Sequence, residues 1–304
     1  MTSTLVAGFG SVVADVLMLA DAVSLGHKNH VAHQEIQVGG VVPTALIVLS
    51  RLGIATQLHT AIGDDLFGDA LLAIFKKENV GLGTIVRGEK TETPLAFVVI
   101  QKKTGHRTSF YTTGAFPTIS RESFVSALDP KTTHLLIDGH NSAVALDFIR
   151  AARKQEAQIL LDLGNPKDGM DQLIKESHVV IAPQAYWKTV WPGKKPEAII
   201  QHLLSTGPEL VVLTMEEYGC FIGNKEALFH QSSFTVDAVD TNGAGDVFFG
   251  AFTYGLLKNR PVQKIAEFAC AAAAQSCTKI GKDQKIPRSE TEVIDFMKTH
   301  TPIT

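Results

Sequence analysis

The chain has 304 residues, of which 45% are hydrophobic and 19% charged, with a formal net charge of −3. That composition supplies one large domain with a sizeable core and excludes a disordered chain. It gives no electrostatic footprint for nucleic acid, and no stretch approaches the ~18 uninterrupted apolar residues of a membrane span.

The opening, MTSTLVAGFG, lacks the basic and long apolar regions of a signal peptide. Its apolar run at 4–9 predicts a strand. Residues 15–38 are polar and irregular. A strand at 56–62 is followed by helical periodicity at 65–78 (DLFGDALLAIFKKE). Residues 93–113 read as a β-hairpin turning at Lys103–Gly105. With 15–38 they predict a small antiparallel flap. Further strands at 133–138, 157–162, 178–182 and 209–214 alternate with helical patterns such as 142–154. That rhythm predicts a parallel sheet with helices on both faces. No repeat or Pro/Gly/Ser-rich linker divides the chain, so 1–304 reads as a single domain with lid segments at about 15–38 and 93–113. Cys220, Cys270 and Cys277 have no CxxC spacing, which argues against a disulfide framework or a zinc site and suits a reducing, cytoplasmic setting.

The stretch DTNGAGD (240–246) precedes the apolar run VFFGAF. Residues 234–239 read as extended chain and 244–258 as a helix, so TNGAG is a strand-to-helix turn. Its small residues leave the amides of 243–246 uncovered at a helix N-terminus, where the dipole favours an anion. Asp246 beside a phosphate is then repulsive unless it takes a proton from an attacking hydroxyl. The alternative is a first-turn acidic residue on a tight turn. Rival phosphate motifs are absent: GFGSVV (8–13) has Val13 where a dinucleotide fingerprint needs glycine, and no GxxxxGK[ST] or HExxH occurs.

Over nearly its whole length the chain resembles the ribokinase-like (PfkB) carbohydrate kinases. DTNGAGD with VFFGAF resembles their C-terminal signature and GGVVPTALIVLSRLG (39–53) their N-terminal one. IGDDLFG (62–68), GSVVAD (10–15) and FACAAAAQSCTKIGKDQKIP (268–287) match further family segments. The resemblance implies an α/β fold, a ribokinase-like three-layer sandwich with a mostly parallel central sheet and a small β-sheet lid. It also implies ATP and Mg²⁺, phosphorylation of a primary sugar hydroxyl, and, through pairing of lid edges, a homodimer.

By the same resemblance Asp246 is the catalytic base, and Gly243, Ala244 and Gly245 form an anion hole. Asp15, Gly39, Gly40, Thr44, Arg107 and Asp138 fall at substrate-binding positions. Thr214, Glu216, Gly219, Asn242, Cys270 and Ala274 fall on the nucleotide side. Asp240 matches a ligand of the monovalent cation, K⁺, that many members carry; the alternative is that Asp240 caps the turn while Lys279 or Lys282 supplies the charge. Departures are Thr44 in place of a frequent asparagine, Gln184 and Trp187 in place of the ends of an NxxE stretch, and Glu216 in place of glycine. They resemble the branch that includes sulfofructose kinase and, more distantly, ketohexokinase, which points to a ketose or modified ketose. A nucleoside-type kinase and a sugar-binding homologue without turnover stay open as alternatives.

Overall fold

The computed structural model describes residues 4–24, 26–88, 91–102, 107–114 and 128–303. The turn expected at Lys103–Gly105 lies outside them.

Nearly every expected strand forms within a residue or two of its apolar run. β1 (Leu5–Phe9) is followed by β2 (Val13–Ala20) and β3 (Val31–Gly39), so the stretch read as irregular carries two strands. β4 (Ala55–Ala61) and β5 (Gly81–Val86) flank the helix Leu66–Lys77, whose N-cap Asp65 accepts the Gly68 amide at 2.8 Å. β6 (Leu95–Gln101) and β7 (Arg107–Tyr111) are the arms of the expected hairpin. β8 (Thr132–Ile137), β9 (Gln158–Asp162), β10 (Val179–Ala182) and β11 (Leu210–Thr214) come next, then the hairpin β12 (Cys220–Asn224) and β13 (Leu228–Gln231).

Nine of these strands form one sheet in the order β13-β12-β11-β10-β9-β8-β1-β4-β5, parallel except at the β11-β12 and β12-β13 pairs. The helices Val41–Arg51, Ala244–Leu257 and Val262–Cys277 bury one face, and Ser142–Arg153, Met170–Glu176 and Pro196–Thr206 the other. This is the ribokinase-like three-layer α/β arrangement. The helix Ala244–Leu257 is apolar almost all round, with Val247 through Gly255 buried. Its start is therefore held rigidly from within the core.

The smaller sheet, β3-β2-β6-β7, is mixed rather than antiparallel: β2 and β6 run parallel. The reason is topological. β2 and β6 are joined by a long crossover through the main sheet, whereas β2-β3 and β6-β7 are local antiparallel pairs. The lid's inner positions, Leu17, Val98 and Ile100, form a core of their own. The carboxyl ends of β1, β8, β9 and β11 lie along one edge of the large sheet, the edge where such sheets bind ligands.

Candidate active site

The loop before the helix Ala244–Leu257 is tied from within. Asn242 N donates to Asp240 Oδ1 at 2.9 Å, and Gly243, at φ 79°, turns the chain into the helix in a left-handed conformation that a side chain would strain. No side chain caps the helix. Ala244 N–H turns back to Thr241 O at 3.3 Å, so it is not one of the free amides expected there. The amides of Gly243, Gly245 and Asp246 find no acceptor among the described residues. Gly245 is informative in another way. A Cβ placed on it would meet nothing within 4 Å, and its φ is not positive. Neither packing nor backbone requires glycine there.

Asp246 sits in the first turn of this helix, its side chain 20% exposed. Its Oδ2 lies 3.5 Å from Lys282 Nζ. Lys282 in turn donates to Thr44 Oγ1 at 2.8 Å, and the Thr44 hydroxyl hydrogen-bonds Asp246. Burial pushes the Asp246 carboxyl up from its ordinary value, and the Lys282 ammonium opposes that rise. Thr44 is fully buried. It thus brackets Asp246 and Lys282. Lys282 itself is held by Gln37 of the lid, whose Oε1 accepts the Lys282 amide at 2.8 Å.

The lid closes on this turn through one chain of polar groups. Arg107 Nη1 on β7 donates to Asn242 Oδ1 at 3.0 Å, and the Asn242 side chain hydrogen-bonds Asp15 on β2. Asn242 therefore belongs with Asp15 and Arg107 on the lid side, not with the nucleotide positions. Gly39 gives Asp15 its room, since a Cβ there would come within 2.5 Å of Asp15 Oδ1. Gly40, at φ 103°, starts the helix Val41–Arg51. Burial raises the Asp15 carboxyl, with Lys282 and Arg107 lowering it and Asp246 raising it.

Asp138, just past β8, is 1% exposed and already occupied. It accepts Ser11 N at 3.1 Å and His140 N at 3.0 Å, and faces His140 Nδ1 at 3.1 Å. The groups it leaves available are His140, half exposed, and Lys167, whose Nζ donates to Asp138 O at 3.0 Å. Asp162, at the end of β9, is a further carboxylate. Burial raises it to about 7, with Asp246 and Asp138 adding to the rise and the Gly164 amide and Lys167 opposing it. Asp162, His140 and Lys167 escaped the sequence reading, although Asp162 closes a predicted strand as Asp138 does, and that position was the available signal.

On the far side, Thr214 ends β11 and Trp187 Nε1 donates to its carbonyl at 3.1 Å. Trp187, standing where NxxE would put a carboxylate, is a buried brace for the strand, and Gln184 opens the helix Gln184–Val190. Glu216 takes a left-handed φ of 53° in the turn 216–218, and Gly219 follows at 92°. Ala274 and Cys270 lie on the helix Val262–Cys277, both buried. Cys270 Sγ packs 3.8 Å from Cys220 Sγ in the core, so its side chain is not turned to a ligand.

Asp240 departs most from the implied role. Its Oδ2 is paired with Lys285 Nζ at 3.0 Å, and the same ammonium donates to the carbonyls of Asp240 (2.7 Å) and Asn242 (2.6 Å). Neither alternative lysine does this: Lys279 is paired with Glu292, and Lys282 with Asp246. Arg51 anchors the segment that carries Lys282 and Lys285. It forms a two-pronged pair with Glu78 at 2.7 Å and donates to the carbonyls of Asp283 and Ile286. The residues present do not fit a K⁺ ion at Asp240.

An uncapped turn carrying a largely buried carboxylate thus lies under a polar lid at the carboxyl edge of a parallel sheet. The pfkB family carbohydrate kinase model matches residues 3–288, and the chain belongs to that family. It is a phosphotransferase with an alcohol group as acceptor. Mouse ketohexokinase is 23% identical over 286 residues, covering 90% of this chain and 96% of the relative. A candidate ribokinase II from E. coli, solved with ATP and Mg²⁺, superposes with a TM-score of 0.84 at 19% identity, over 98% of this chain and 100% of that one. Arabidopsis thaliana ribokinase, solved with ribose and ATP, gives 0.82 at 21% identity, over 98% and 99%. At such identities the structures speak for the fold.

Proposed function

We propose that this protein transfers the γ-phosphoryl group of ATP to a primary hydroxyl of a small sugar, with a ketose or sugar derivative favoured. The observation that carries the reading is Asp246 at the edge of an uncapped turn whose glycine at 245 no internal contact requires. The acceptor hydroxyl gives its proton to the Asp246 carboxylate as its oxygen bonds to the γ-phosphorus. The bond from that phosphorus to the bridging oxygen breaks, and ADP leaves. The amides of Gly243, Gly245 and Asp246 receive negative charge on the transferred group, and Lys282 adds positive charge beside it. Asp15, Arg107 and Asn242 hold the acceptor against the base.

Among the described residues no group of three or more His, Cys, Asp or Glu could hold a metal ion. That suits a Mg²⁺ that arrives on the nucleotide phosphates and needs only one or two protein carboxylates. Asp162 is the fitting one, its carboxylate accepting a single backbone amide among the described residues. When bound, the ion neutralises phosphate charge. The likeness to mouse ketohexokinase supports a small sugar over a nucleoside as acceptor. A homodimer through the lid is part of this reading, since β7 is an exposed edge that presents Phe110 and Tyr111. A cytoplasmic location fits three free, buried cysteines. ADP release measured across ketoses, aldoses, sugar acids and nucleosides tests the assignment. Turnover confined to small sugars is expected; turnover on nucleosides alone, or on none of these acceptors, removes it.

A further inference from the structure

We infer that Lys285 is a built-in substitute for a monovalent cation, a positioning residue that makes the anion turn independent of K⁺. This rests on the kinase reading for its catalytic consequence, but its geometry stands alone. All three donors of the Lys285 ammonium are used, on Asp240 Oδ2, Asp240 O and Asn242 O, at 3.0, 2.7 and 2.6 Å. These are one carboxylate and two backbone carbonyls, the oxygen set that would otherwise suit a bare cation. Lys285 is 2% exposed, so the ammonium is shielded from exchange with solvent ions; burial pulls it down from the ordinary lysine value, and the paired Asp240 carboxylate opposes that fall.

The consequence follows from peptide geometry. Asn242 O and Gly243 N–H belong to one peptide unit, and no described peptide is cis. In a trans peptide the carbonyl and the N–H point in opposite directions. A cation fixed on Asn242 O therefore polarises the Gly243 N–H and aims it away from Lys285, and that amide finds no internal acceptor. Asp240 O does the same for Thr241 N–H. The lysine is itself braced, because Arg51 holds the carbonyls of Asp283 and Ile286 on either side of it. Positive charge set behind fixed dipoles strengthens an anion site without reorganisation.

The test has two readouts. In the first, the wild type is assayed and melted with K⁺ and Na⁺ replaced by tetramethylammonium at constant ionic strength. The expected result is kcat within twofold and an unchanged Tm. A several-fold fall in kcat, or a fall in Tm, that millimolar K⁺ reverses overturns the inference. In the second, Lys285→Ala, which opens a space, and Lys285→Met, which fills it with an apolar chain, are compared in the same buffers. Lys285→Ala should lose roughly tenfold or more in kcat and regain much of it, together with several degrees of Tm, on addition of K⁺ or NH₄⁺. Lys285→Met should regain neither. A folded Lys285→Ala with wild-type kcat, or with a loss that no cation relieves, also overturns the inference. The melting measurements need no substrate, so failure of the kinase reading leaves them decisive, and the wild-type arm stands if a variant does not fold.

Discussion

Arg107 of the lid and Asn242 of the anion turn meet across 3.0 Å, although 135 positions separate them in the chain. This contact joins the lid to the turn, and because Asn242 also bonds Asp15, a change at Arg107 reaches the Asp15 carboxylate. Arg107 is exposed, so its removal should leave stability within about 0.5 kcal/mol. The exposed contact with Asn242 adds little to stability, whereas the charged hydrogen bond that Arg107 gives the acceptor in the proposed reaction is worth about 1.5–3 kcal/mol, so Arg107→Ala should lower kcat/KM by roughly ten- to a hundredfold. Steady-state kinetics beside a melting curve separates the two effects. A kcat/KM unchanged within twofold would show that the lid contact does no work.

Asp246→Asn removes the base but keeps the size of the side chain and its contact with Thr44. The expected loss in kcat is a factor of about 10²–10⁴, with acceptor binding by calorimetry weakened far less. A variant that turns over at near wild-type rate rules Asp246 out as the base.

Lys282 opposes the burial that raises the Asp246 carboxyl. The acid limb of the kcat/KM profile should therefore lie above the ordinary carboxylate range, since Asp246 must be deprotonated to act. Lys282→Met removes the opposing charge, raises Asp246 further, and should carry that limb to higher pH while lowering the plateau. A limb that stays put or moves down is incompatible with the pairing.

Gly245 offers a clean separation of folding from function. An alanine there meets nothing within 4 Å, and alanine is favoured over glycine in a helix by up to ~1 kcal/mol. Gly245→Ala should melt at or above the wild-type temperature while losing at least tenfold in kcat/KM for ATP. Full activity in this variant would show that no phosphate approaches the turn closely.

Asp162 predicts a pH-dependent stability. Its folded value of about 7 lies above the unfolded value near 3.9, so the folded state holds the extra proton between them. Stability is then unpenalised at pH 4 and falls as pH rises toward 7, by up to about 4 kcal/mol at ~1.4 kcal/mol per unit. Asp162→Asn should raise Tm at pH 8 in the absence of nucleotide and metal, with little effect at pH 4.5. Equal shifts at both pH values would contradict the raised carboxyl.

The alternation of apolar strands and amphipathic helices was enough to predict the parallel sheet, because buried strands such as LVVLT at 210–214 must be apolar on both faces. The turn at 240–246 was legible for a local reason: a helix start and its capping chemistry depend on residues adjacent in the chain. Asp246 and the glycines could be read from the sequence on that ground. Local sequence could not show that Asn242 serves Arg107 and Asp15, that Thr44 brackets Lys282 against Asp246, or that Lys285 takes the cation's place at Asp240. Each of these is a pairing of charged or polar side chains from distant segments, and a charge's partner is decided by burial and distance in the folded chain. The lid strands 13–20 and 31–39 were hidden for a related reason. Residues 31–39 are largely polar and exposed and form a strand by pairing with 13–20, whereas 13–20 (VADVLMLA) is apolar except at Asp15 and is fixed as a strand by pairing with β3 and β6.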